Sequence, residues 1–316
     1  MAPTAYWQPP TRPALLSCRS RNLTPGLTWW TVANGGHKSV ERNAVPVAAT
    51  VAATQIVATS YFGITAIIAF VPGRAEGAAP QHQLHIISPA YKPLKNAQTH
   101  QSCKNVSWCR VGTATNLYYI GTSGGATKAP FVLKEYDLEK LSIAKNNASA
   151  LEIPLSATLG PDSDFAVYYD AREQRRYVIF TDVPAGSTDK VLKEVSLGTN
   201  NQASGPPKEI QVPAKSIKAT ALAVAVIPTT TNPATTKVAL YYVSADGSLM
   251  RVLKSGGAWG ASAKLALDPA VSISDSAPQI AASYVNTSEP STRGVWIYFA
   301  KKGAGGLESH IDTGVN

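Results

Sequence analysis

Few side chains in this chain are placed for covalent chemistry. Asp162, Asp164, Asp170, Asp182 and Asp189 are isolated among turn residues, whereas acid/base work needs carboxylates held together. Ser163, Ser244 and Ser283 lack the strand-turn-helix context of a nucleophile elbow. The glycine-rich run Thr122-Ser123-Gly124-Gly125-Ala126 has no following Gly-Lys-Ser/Thr, so it reads as a hairpin turn rather than a phosphate loop. The histidines (His37, His82, His85, His100 and His310) are dispersed; His82 and His85 could share a metal, yet nothing completes a ligand set. The expectation is no metal, no cofactor and no enzyme. What remains is binding chemistry. Leu133-Lys134-Glu135 and Leu192-Lys193-Glu194 put a carboxylate at the same place in two similar segments, and Arg176 adjoins the run Tyr177–Phe180. A guanidinium and a carboxylate together make strong directional hydrogen bonds to hydroxyl groups, and aromatic rings bury apolar area at little entropic cost. Arg176 with Glu194 is the expected centre of any ligand site.

The elements around these residues repeat. Thr54–Tyr61, Val106–Val111, Phe165–Tyr169, Thr220–Val226 and Gln279–Val285 are short alternating apolar segments whose starts lie 52, 59, 55 and 59 residues apart. Each is followed by a second, richer in large apolar and aromatic residues: Ile64–Val71, Leu117–Ile120, Tyr177–Phe180, Val238–Val243 and Val295–Phe299. A period of about fifty residues with several strands per period signals a β-propeller. Division of the 316 residues by that period predicts an all-β propeller of six blades, five of them legible as repeats. The sixth would be a degenerate one built around Leu27–Val32; five blades are the alternative. Helical periodicity is nearly absent, and Leu133–Lys145, the best helical candidate, alternates well enough to be a strand. Ser244-Ala245-Asp246-Gly247-Ser248 is an Asp-Gly hairpin signal between two strands.

Composition fits a folded β protein: 44% apolar and 16% charged residues, with 23 Gly and 22 Pro. The net charge of +9 is scattered, without a cluster or a nucleic-acid-binding motif, so no nucleic-acid partner is expected. Cys18, Cys103 and Cys109 form no disulfide framework; Cys103–Cys109 pairing and three free thiols both stay open. Residues 1–43, broken by Pro3, Pro9, Pro10, Pro13 and Pro25, read as an irregular N-terminal extension that docks in part through Leu27–Val32, and residues 44–316 as the propeller. The 31 residues from Asn43 to Gly73 carry no charge and are long enough for a membrane span. However, Gln55–Tyr61 mirrors Gln279–Tyr284, which favours two strands turning at Phe62-Gly63. A cytoplasmic or non-classically secreted protein is therefore expected, with a type II membrane protein as the alternative; no signal peptide is legible in Met1–Pro25.

The run Lys237–Arg251 followed by Ser255-Gly256-Gly257-Ala258-Trp259 resembles the repeat of the fungal fucose-specific lectin family. The shared features are the paired tyrosines Tyr241-Tyr242, the Asp246-Gly247 hairpin, the apolar strand after it and the closing Gly-Gly-x-Trp. Tyr118-Tyr119 with Leu133-Lys134-Glu135, Leu192-Lys193-Glu194, and Trp296–Phe299 with Gly306-Leu307-Glu308 are weaker copies, so the resemblance spans about Thr54–Ile311. It implies a six-bladed, lectin-like, non-catalytic propeller that binds a sugar between blades through an Arg, a Glu and aromatic side chains. Glycans or glycoproteins, fucosylated ones among them, are the implied partners. Carried onto this chain, the implied ligand-binding set is Arg176, Glu194, Glu135, Tyr119, Trp259, Trp296, Arg293 and Glu308. The pattern departs where Asn116 and Ala239 stand at the family's Arg position and Arg251 replaces the Glu. A protein-interaction or structural propeller that has lost sugar binding, membrane-tethered or not, is the alternative.

Overall fold

The computed structural model is all-β, and every described element but one short 3-10 turn is a strand. The residues it describes are 15–18, 27–33, 36–42, 56–61, 64–73, 81–88 and 92–315, less 104, 124–129, 140–149, 158, 162, 185, 187–189, 199–201, 213–221, 229–235, 268–279, 290 and 301–306. Five antiparallel sheets follow one another along the chain. Blade 1 is β4 (Ile56–Tyr61), β5 (Ile64–Gly73), β6 (Gln81–Ser88) and β7 (Lys92–His100). Blade 2 is β8 (Val106–Val111), β9 (Ala114–Thr122), β10 (Phe131–Asp137) and β11 (Leu151–Ile153). Blade 3 is β12 (Phe165–Asp170), β13 (Arg175–Asp182), β14 (Val191–Leu197) and β15 (Lys208–Ile210). Blade 4 holds β16 (Ala223–Ile227), β17 (Lys237–Val243), β18 (Leu249–Ser255) and the short β19 (Ala258–Trp259) and β20 (Ala263–Lys264), both paired to β18. Blade 5 is β21 (Ile280–Val285), β22 (Gly294–Ala300) and β23 (Leu307–Asp312), ending in the 3-10 turn Thr313–Val315.

The first strands line up in series: β4 lies against β8, β8 against β12, β12 against β16, and β16 against β21. That is the arrangement of a β-propeller, here with five blades in sequence. A further three-stranded sheet, β1 (Leu15–Cys18), β2 (Leu27–Ala33) and β3 (Gly36–Arg42), precedes them. The Pro-rich stretch is thus not irregular throughout, and Leu27–Val32, expected at the core of a sixth unit, is a strand of that sheet.

An apolar layer fills each gap between consecutive blades. Phe70 and Leu84 meet Leu117 and Tyr119 between blades 1 and 2, and Tyr118 and Ile120 meet Val178 and Phe180 between blades 2 and 3. Ile179 and Leu192 meet Leu240 and Tyr242 between blades 3 and 4, and Tyr241 and Val243 meet Val295 and Ile297 between blades 4 and 5. A second strand is covered on both faces, so its sequence is a continuous apolar run rather than an alternating one. This is why the repeats show paired aromatics. Both tyrosines of each pair are buried, one per face, so Tyr119 is core and not a ligand platform.

The uncharged stretch behaves as its internal match predicts. β4 pairs antiparallel with β5 from Ile56↔Ala69 to Tyr61↔Ile64, with Phe62-Gly63 outside the described residues. Among the described residues no helix is long and apolar enough to cross a membrane. Leu133–Asp137 is strand, within β10. The Asp246-Gly247 hairpin forms as expected: Ser244 and Ser248 close it backbone to backbone at 2.9 Å, and Gly247 takes the left-handed φ of 82° that favours glycine there. Cys103 and Cys109 are buried and not bonded to each other.

Candidate functional site

The charged candidates converge at blade junctions, although not in the expected pairing. On the third strand of blades 1 to 4 a buried leucine (Leu84, Leu133, Leu192, Leu249) is followed two residues later by Ile86, Glu135, Glu194 and Arg251. Two residues along a strand is the same face. That face is the one turned to the next blade. Glu135, Glu194 and Arg251 each form an ion pair across the junction with a residue of that blade.

Between blades 2 and 3, the partner is Arg176. One of its terminal nitrogens donates to both oxygens of Glu135, at 2.7 and 2.6 Å, and to the Tyr118 hydroxyl at 3.0 Å. The two charged side chains keep only 11% and 6% of their surface exposed, so the pair is largely desolvated. Burial works against the Arg176 charge, but Tyr118 and Glu135 outweigh it and hold its pKa above the ordinary value. Beneath lies Cys109, whose thiol points at the Tyr118 hydroxyl at 3.9 Å. Burial pushes that thiol up to about 12 and raises Tyr118 well above the usual phenol range.

Between blades 3 and 4, Glu194 does not meet Arg176. The Tyr168 hydroxyl donates to one of its oxygens at 2.7 Å, and the Lys254 ammonium donates to the other at 2.8 Å and to Tyr168 at 2.9 Å. Aromatic rings surround the ammonium: it stands 4.3 Å from the Tyr177 centroid, 5.5 Å from Trp259 and 5.7 Å from Tyr168, and Tyr168 and Tyr177 are stacked at 5.0 Å. Trp259 is therefore brought to the Lys254 partner of Glu194, half-buried, and its indole N–H has no hydrogen-bond acceptor among the described residues.

Between blades 4 and 5 the polarity is reversed. Arg251 donates to both oxygens of Asp312 at 2.6 and 2.8 Å, and Tyr241 donates to Asp312 at 3.0 Å. Lys254 and Asp312 occupy one place on the third strand of the repeat, and Arg176 answers at the same level from the second strand. Arg176 is the cross-strand neighbour of Leu197, which lies three residues after Glu194; Lys254 lies three residues after Arg251; Asp312 lies three after Ser309, which stands where Leu307-x-Ser309 puts the reaching residue in blade 5. The expected pair Arg176–Glu194 is thus replaced by Arg176–Glu135 and Lys254–Glu194. The physical reason is that the two side chains leave opposite faces of blade 3: Arg176 shares the face of Val178 and Phe180 toward blade 2, whereas Glu194, opposite Ile179, faces blade 4.

The other candidates are not gathered. Glu308 sits opposite Phe299, on the strand face turned to blade 4, and is not the equivalent of Glu135. Trp296 donates its indole N–H to the Thr292 carbonyl at 3.1 Å, and Arg293 donates to the Thr287 carbonyl at 3.0 Å. Both brace the β21–β22 connection. Lys254 and Asp312 escaped the sequence pattern, and a charged residue three positions beyond the L-x-E place was the signal that marks them. Among the described residues no group of three or more His, Cys, Asp or Glu side chains is placed to hold a metal ion.

No protein-family model matches the chain, and no curated protein sequence matches it. Similarity to solved structures is nevertheless extensive. The fungal Aleuria aurantia lectin, a six-bladed β-propeller with a fucose recognition mode, superposes with a TM-score of 0.52 at 10% identity, covering 97% of this chain and 97% of that one. A mutant of the same lectin in complex with a fucosylated disaccharide gives a TM-score of 0.53 at 10% identity over 92% of this chain and 90% of that one. At this identity the likeness establishes the β-propeller fold that the two chains share.

Proposed function

We propose that this protein is a non-catalytic, lectin-like propeller that binds carbohydrate between blades, with fucosylated glycans the first ligands to test. The binding unit is the propeller body, residues 44–316, and the primary site is the blade 2–blade 3 junction. One observation carries this. Arg176 and Glu135 converge there from adjacent blades, the combination of guanidinium and carboxylate that hydrogen-bonds a sugar's hydroxyls. The aromatic group around Lys254 and Glu194 offers a second site of similar character. Fold similarity to fucose-recognising lectins supports the same assignment. Glycoside hydrolysis requires two carboxylates acting on one bond, whereas Glu135, Glu194 and Asp312 lie at three different junctions and each is engaged by a cation.

A glycan array probed with the wild-type protein and with Arg176→Ala tests this. Binding that is selective for fucosylated glycans over fucose-free controls, and that is lost in Arg176→Ala while a melting transition persists, is the expected result. No glycan binding by the wild type, or undiminished binding by the variant, refutes the assignment.

A scaffold propeller without sugar binding is favoured by one feature: the polarity reversal at Arg251–Asp312 preserves a pairing and would not preserve a common ligand. Such a protein would give a blank array.

A further inference from the structure

We propose that the reversed ion pair Arg251–Asp312 is a docking code that lets blade 5 assemble on blade 4 and on no other described blade. The proposal does not depend on sugar binding. Repeats of similar sequence can dock in the wrong order, or exchange between chains, because their apolar layers are alike. Here the layers share composition, with leucine, valine, isoleucine and tyrosine or phenylalanine in each. The reaching position is what differs.

Blade 1 offers Ile86 and blade 2 answers with Leu138, both buried in one apolar layer. Blades 2 and 3 offer the carboxylates Glu135 and Glu194, and blades 3 and 4 answer with the cations Arg176 and Lys254. Blade 4 offers the cation Arg251, and blade 5 answers with the carboxylate Asp312. Docking blade 5 on blade 2 or 3 would place Asp312 against Glu135 or Glu194. Docking blade 3 on blade 4 in the wrong order would face Arg251 with Arg176, and a blade 4 from a second chain would face it with Lys254. Each of these buries two like charges without a partner, which is strongly unfavourable in a desolvated layer. Blade 1 offers only Ile86, which would bury Asp312 without a counter-charge, so Arg251 alone satisfies it.

The native junction is also closed over this pair. Asp312 accepts the Gly314 N–H at 3.1 Å, a Cβ at Gly314 would stand 2.9 Å from an Arg251 nitrogen, and Val315 is buried in the apolar layer. The 3-10 turn therefore seals the correctly docked junction.

Two charge swaps test the code. Arg251→Glu with Asp312→Arg keeps a complementary pair but gives the last junction the polarity of the two before it. Glu194→Lys with Lys254→Glu does the converse at the blade 3–blade 4 junction. Each is melted, then refolded from denaturant at matched concentration and resolved by size-exclusion chromatography. The expected result is a native-like melting transition in at least one swap, accompanied by at least a twofold lower yield of refolded monomer, the remainder appearing as blade-exchanged oligomer or aggregate. The single substitutions Arg251→Glu and Asp312→Arg lose the native transition or lower it well below that of the corresponding swap. Refolding of the swaps at wild-type monomer yield overturns the proposal. So does failure of both swaps to recover a native transition, because a code needs only complementary signs.

Discussion

Arg251 and Asp312 reproduce, with signs exchanged, the contact that Glu135 and Arg176 make two junctions earlier. In both, one guanidinium nitrogen straddles a carboxylate, at 2.6 and 2.8 Å in the first and at 2.7 and 2.6 Å in the second, and a tyrosine hydroxyl completes the cluster. What recurs at the three junctions from blade 2 to blade 5 is an ion pair facing across the gap, and not a particular residue on either side of it.

The Arg176–Glu135 pair is buried enough for its loss to register in stability as well as in binding. Arg176→Ala leaves Glu135 buried without its cation, which typically costs about 3–5 kcal/mol. Urea unfolding of Arg176→Ala should show a loss in that range. Combining it with Glu135→Gln should recover part of it, because the stranded charge is then gone. An unchanged midpoint in the single variant would show that the pair is solvated in solution.

The two members of the Tyr118-Tyr119 pair should respond differently to the same substitution. Tyr118 accepts from Arg176 and from Cys109, so Tyr118→Phe should destabilise by about 1–2 kcal/mol. The Tyr119 hydroxyl is buried with no hydrogen-bond partner among the described residues, and Tyr119→Phe removes only a desolvated polar group, so the melting temperature should hold or rise. A clear destabilisation by Tyr119→Phe would reveal a partner such as bound water.

Cys109 should be chemically silent in the native protein. Burial raises its thiol to about 12, so the reactive thiolate is disfavoured at neutral pH, and the residue is only 5% exposed. Peptide mass spectrometry after iodoacetamide treatment should find Cys109 unmodified until denaturant is added. Rapid native labelling would mean that the blade 2–blade 3 junction opens.

Stability should fall on mild acidification. Burial lowers the pKa of His85, and lowers that of His310 despite an opposing contribution from Asp312. Because both folded values lie below the ordinary value of about 6.5, the unfolded chain binds more protons in the window beneath it. Their contribution is therefore intact above pH 6.5 and declines as pH drops below it, by at most about 1.4 kcal/mol per pH unit for each histidine. Chemical denaturation at pH 7.5 and 5.5 should show this loss, and His85→Gln should reduce it. An identical pH dependence in His85→Gln would exclude that histidine as a source.

The sequence by itself determined the class of fold. Alternating and aromatic runs recurring at about fifty residues, the Asp246-Gly247 turn, and the match of Gln55–Tyr61 to Gln279–Tyr284 are local signals, and β4, β5 and the β17–β18 hairpin formed where those signals lie. It also marked Glu135, Glu194 and Arg251 as equivalent through the leucine two residues before each. Their partners were decided by the tertiary structure. Arg176 lies 41 residues from Glu135, Lys254 60 from Glu194, and Asp312 61 from Arg251. Those separations follow from blades packing face to face, and neither strand periodicity nor a motif within one repeat specifies which charge stands opposite. The same packing buries both faces of each second strand, which is why Tyr119, polar at its tip and beside Tyr118 in sequence, ends in the core while Tyr118 joins the ion pair.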